Sequence, residues 1–98
     1  MSRSLLERRL TELTGRLREL RGELVVSDEQ LAHLAEAADE ARLRALVSET
    51  PLADHDHREA QKHAHAMSRH RAEVAASIER LERTQDELLD RLTGLNGR

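Results

Sequence analysis

Apolar side chains in the first half of the chain recur in steps of four and three. They run through Leu6, Leu10, Leu13, Leu17, Leu20 and Leu24, pass Ser27, and continue as Leu31, Leu34, Ala38, Ala41 and Ala45. That spacing keeps one face of a helix apolar over about six heptads. Leu10, Leu17, Leu24 and Leu31 occupy position a, and Leu6, Leu13, Leu20 and Leu34 occupy d. Ser27 is the one polar residue in this stripe. Gly15 and Gly22 fall off it, each at a cost of about 1 kcal/mol in helix propensity. The second half repeats the rhythm with Ala53, His57, Ala60, Ala64, Met67, Arg71, Val74, Ile78, Leu81, Gln85, Leu88, Leu92 and Leu95. Gly94, Asn96 and Gly97 then act as stop signals before a fraying tail.

Between the two stripes lies Val47-Ser48-Glu49-Thr50-Pro51-Leu52, with the only proline. Proline has a fixed φ and no N–H, which suits the first position of a helix and disrupts an interior. Thr50 is placed to cap that helix, and Asp54 and Asp56 sit near its positive end. The pattern therefore predicts an all-α chain of two long helices in an antiparallel coiled-coil hairpin, a single unit over 1–98. Helix 1 covers about 3–48, the turn 48–51 and helix 2 about 51–94. The alternative is a three-helix bundle with a break near Ser27, where Ser27 and Gln30 have capping-box spacing. The heptad phase crosses Ser27 without a skip and no Pro or Gly stands there, which favours the hairpin.

Antiparallel pairing sets each a residue against a d residue. Pairing Leu31 with Met67 also pairs Leu24 with Val74, Leu20 with Ile78, Leu17 with Leu81, Leu10 with Leu88 and Leu6 with Leu92. Toward the turn it pairs Leu34 with Ala64, Ala38 with Ala60 and Ala45 with Ala53. The same register brings Arg42 near Asp54 and Arg44 near Asp56, and it sets Arg9 against Arg91 at the open end. Ser27 falls level with Arg71, whose guanidinium is expected either to fix the register or to reach outward to Glu23 or Asp28. The core is expected to be uneven, leucine-rich at the open end and alanine-rich near the turn. Alanine buries little apolar area, so a partner or a second copy is expected to cover the turn half.

Composition narrows the functional classes. Charged residues make up 36% of the 98 residues, and Phe, Tyr and Trp are absent, a usage typical of long helices. With a net charge of −3, interspersed signs and no aromatic to stack on a base, no nucleic-acid partner is expected. No membrane partner is expected either, since no apolar run approaches a span. The early charges at Arg3 and Glu7 do not suit a signal peptide. Absence of cysteine fits a cytoplasmic location, and Lys62 as the single lysine beside many arginines suits a GC-rich bacterial genome. No phosphate loop, nucleophile–base spacing or pocket-forming aromatic set is present, so neither an enzyme nor a cofactor is expected.

Two groups of residues remain as candidates. Leu43, Leu46 and Val47 fall at f, b and c, outside the seam, with Leu52 across the turn. Either the seam drifts so that Leu46 or Val47 fills the end of the core, or the four form an outer patch that a protein partner covers. Second, His55, His57, His63, His65 and His70 crowd the helix after the turn, with His33 on helix 1. His55, Glu59 and His63, four residues apart, are the candidate metal set, although no metal site is assigned. Otherwise the histidines are solvated surface groups or share protons as a pH sensor.

The acidic residues at the tip, Glu49, Asp54 and Asp56, resemble the coiled-coil arm of bacterial factors that enter the RNA polymerase secondary channel. In that family tip carboxylates hold a catalytic magnesium. Separately, Glu73, Ser77 and Arg80 form an E-x3-S-x2-R fragment similar to part of the signature of actinobacterial coiled-coil anti-sigma factors that bind cyclic di-GMP. The rest of that signature would place Gln at Thr84 and Asp at Leu88, and the first helix has no copy. The expected function is a non-enzymatic cytoplasmic interaction module that self-associates or binds a protein through its tip, as a homo-oligomer. The alternatives are a transcription-linked regulator contacting RNA polymerase or a sigma factor, and a histidine-rich metal binder.

Overall fold

The computed structural model describes residues 2–96 and consists of two helices, α1 (Arg3–Ser48) and α2 (Pro51–Asn96). They form a helical hairpin, with no strand among the described residues. α1 runs unbroken through Ser27, which removes the three-helix alternative. α2 continues through Gly94 to Asn96, about two residues beyond the expected end. One glycine weakens a helix interior without breaking its hydrogen-bond ladder. The stop signal at Gly97 and the fraying tail lie outside the described residues.

Both helix starts are capped by hydroxyls. The Leu5 N–H donates to Ser2 Oγ at 3.2 Å, and the Ala53 N–H donates to Thr50 Oγ1 at 3.2 Å. Each bond satisfies one of the four N–H groups that a helix leaves unpaired at its start. α1 ends through Glu49, whose N–H donates to the Ala45 carbonyl at 3.1 Å. Glu49 has φ of 50°, the left-handed conformation usual just past a helix end and usually taken by glycine. A side chain in that region costs about 1–2 kcal/mol, part of which glycine would return through its floppier unfolded state. Glu49→Gly should therefore raise stability by about 0.5–1 kcal/mol. A thermal melt reads this as a gain of a few degrees, absent in Glu49→Ala. Equal melts for Glu49→Gly and wild type would mean the turn carries no strain.

The hairpin comprises two compact units, Leu24–Glu73 around the turn and the segments up to Glu23 and from Val74 at the open end. In the open-end unit Leu6, Leu17, Leu20, Val74, Ile78 and Leu88 are buried. Leu10, Leu13, Leu81 and Leu92 are half-buried beside them. Gln85, the polar residue on the α2 seam, donates to Thr14 Oγ1 at 3.3 Å. Arg21 bridges to Glu82 at 3.3 Å on the flank. Arg9 and Arg91 both point to solvent, so their like charges are screened by water. Leu95 also departs from the expected seam and is exposed, one position from the last described residue. A Cβ added at Gly15 or Gly22 would meet nothing within 4 Å, so no packing within the hairpin requires either glycine.

The turn unit has a thinner core. Only Ala41 and Ser27 are buried there, while Leu31, Leu34, Ala38, Ala45, Ala53, His57, Ala60, Ala64 and Met67 are half-buried. Among the described residues no buried side-chain nitrogen or oxygen lacks a hydrogen-bond partner. Beside Ser27, Arg71 reaches outward, and its Nε–H donates to Asp28 Oδ1. The guanidinium thus sits on the flank while its aliphatic stem lies along the seam, as long cationic side chains do. That contact ties the two helices together on the flank of this unit. The ion pairs expected nearer the turn, Arg42 with Asp54 and Arg44 with Asp56, do not close among the described residues. All four side chains are exposed, and an exposed pair gains too little to hold two flexible side chains together.

Candidate functional site at the turn

Leu43, Leu46 and Val47 sit one helical turn apart on α1, at the i, i+3 and i+4 spacing that aligns side chains on one face. Their exposures are 63%, 64% and 84%, and Leu52 at the start of α2 is 70% exposed. The seam does not drift, because Ala41 and Ala45 keep the inward positions and leave Leu46 and Val47 outside. Leu43, Leu46 and Val47 thus leave an apolar stripe exposed to water on the last two turns of α1, and Leu52 is exposed in the first turn of α2. Only Glu49 and Thr50 separate the helices, so Leu52 follows Val47 closely along the chain.

The same apolar habit recurs at Val25 and Val26, also largely exposed. They occupy the b and c positions that Leu46 and Val47 take three heptads later. Reading the stripe for its core passed over them. The signal was an adjacent β-branched pair at outward positions in a chain otherwise built from Leu and Ala.

Of the metal candidates, His55 and His63 are exposed and Glu59 is half-buried. Glu59 is engaged by Lys62, with Nζ 3.5 Å from Oε1. Among the described residues no three His, Asp or Glu side chains converge in a group able to hold a metal ion. His63 and His65 line a shallow open depression along α2 together with Arg58, Glu59, Lys62 and Arg69, so cations outnumber the one carboxylate around these imidazoles. A second cation is poorly placed there.

Glu49, Asp54 and Asp56 are all exposed and flank Val47 and Leu52 in the sequence. Within the E-x3-S-x2-R fragment, Arg80 donates to Ser77 Oγ at 2.9 Å, and Ser77 is half-buried while Glu73 is exposed. Arg80 thus spends a donor on its own helix. No helix among the described residues is long and apolar enough to cross a membrane. No protein-family model matches the chain, and no curated protein or solved structure matches it either.

Proposed function

We propose that this chain is a non-enzymatic interaction module, a coiled-coil hairpin that presents the apolar tip formed by Leu43, Leu46, Val47 and Leu52 to a helix of a protein partner. The exposure of these four side chains carries the reading. Each large aliphatic side chain left in water forgoes about 1.5–3 kcal/mol of burial, and four together make a patch that scattered surface leucines do not. A partner helix laid across one turn of α1 would engage Leu43, Leu46 and Val47 together, in helix-in-groove fashion. The acidic rim of Glu49, Asp54 and Asp56 favours a partner with basic residues flanking its apolar stripe.

Leu43→Glu combined with Val47→Glu tests this reading. The variant should keep the circular dichroism of the wild type and lose association in sedimentation and pull-down. Unfolding of the variant would place these residues in the internal core. Unchanged association in a folded variant would make the tip an ordinary surface.

A further inference from the structure

We propose that the occupant of the turn unit is a second copy of this chain, docked back to back: the outward face of α1 in one copy lies against the outward face of α2 in the next. The proposal deepens the protein-binding reading above and rests on it for the apolar contact at the tip.

The outward face of α1 between residues 29 and 43 carries Glu29, Glu36, Asp39 and Glu40 and no lysine or arginine. The outward face of α2 between residues 55 and 69 carries Arg58, Lys62 and Arg69. Its one acid, Glu59, is held by Lys62. All but Glu59 are exposed. The two stripes have opposite sign and the same spacing. The register that sets Ser27 level with Arg71, with which the bond of Arg71 to the adjacent Asp28 agrees, sets Glu29 level with Arg69, Glu36 with Lys62 and Glu40 with Arg58 on counting toward the turn. One step further, Leu46 is level with Leu52.

The two faces point in opposite directions from one hairpin and so do not meet within a copy. Two copies lying side by side with their tips in the same direction bring them together. Each acid then meets a cation at its own level, and Leu43 and Leu46 of one copy meet the first turn of α2 in the other. Within a copy the same arrangement is unfavourable, because Glu36 and Glu40, and likewise Arg58 and Lys62, are like charges at four-residue spacing. A neighbour of the opposite sign relieves both. The contact is heterologous: it uses the acidic face of one copy and the basic face of the other, which leaves one basic and one acidic face free on the pair, so association proceeds past the dimer into a row unless rotation closes it.

Sedimentation velocity over a concentration series tests this. The wild type should form species larger than a dimer in low salt and revert toward monomer in about 1 M sodium chloride, where the screening length falls to about 3 Å. Glu29→Lys with Glu36→Lys reverses the two acids level with Arg69 and Lys62 and cancels the charge of the α1 face, and Lys62→Glu with Arg69→Glu reverses the two cations and leaves both faces acidic. Each variant alone should stay helical and associate at least about tenfold more weakly than wild type. An equimolar mixture of the two should associate again. A control carrying the same change of net charge at other exposed positions, Glu79→Lys with Asp86→Lys, should associate like the wild type.

A wild type that stays monomeric in low salt overturns the proposal and leaves the tip to a different protein. Association that ignores both charge swaps, or fails to return on mixing, also overturns it. Equal loss in the control would trace the effect to net charge and overturn it as well. If mixing restores association while Leu43→Glu with Val47→Glu leaves it intact, the back-to-back contact stands and the tip reading fails.

Discussion

Leu17→Ala is expected to lower the stability of the hairpin by about 3 kcal/mol, within the range of about 2–5 kcal/mol for large-to-small changes at fully buried leucines. Leu17 is 0% exposed and lies in the part of the chain where Leu20, Val74 and Ile78 are also buried. Truncation removes three methylene-equivalent carbons from that cluster, and the loss has two parts. Transfer of the deleted atoms accounts for one, and the cavity left behind accounts for the other, because neighbours on two rigid helices relax only partly. For a domain of this size the melting temperature should fall by about 10–25 °C. Melts must compare equal protein concentrations, since any self-association adds to apparent stability. Leu95→Ala, at an exposed seam position, should change the melt by far less. Similar losses at Leu17 and Leu95 would mean that burial is not what holds the open end.

The two-helix fold was legible because its signal repeats. Each heptad step restates which face is inward, and a single proline marks the reversal. All twelve seam positions expected on α1, from Leu6 to Ala45, are buried or half-buried, including Ser27. The register was legible for the same reason, and the bonds of Thr14 with Gln85 and Arg71 with Asp28 fit it. The flanking ion pairs near the turn were not legible. Periodicity fixes where Arg42 and Asp54 start from, but long exposed side chains are free to choose water. The backbone of Glu49 was equally hidden. The left-handed conformation is announced by glycine or asparagine, and a glutamate there reflects closure of a short turn, not local preference. The outward faces carry a signal that overall composition hides. Composition reports acids and bases as interspersed, whereas sorting them by helix face separates an acidic α1 stripe from a basic α2 stripe.

Ala41→Leu is expected to destabilise the protein by about 1–3 kcal/mol, the usual penalty for forcing methylenes into a filled position. In the turn unit the sense of the Leu17 experiment is reversed. Ala41 is 2% exposed, the one apolar side chain fully covered between residues 24 and 73, and Ala38 and Ala45 on the same stripe are half-buried. A methyl group can be covered so completely only where the opposite helix lies close. At this level the opposite helix presents His57 and Ala60, both half-buried. A leucine at 41 must then push the helices apart or leave its preferred rotamer, and separation would uncover the neighbouring alanine contacts. Ala41→Ser keeps the volume nearly unchanged and adds a hydroxyl that can bond back to its own helix, so it should cost far less than either Leu17→Ala or Ala41→Leu. Denaturant melts at one protein concentration would read the three variants side by side. A rise in stability for Ala41→Leu would show that the alanine layer has unfilled space and that close approach of the helices is not what covers Ala41.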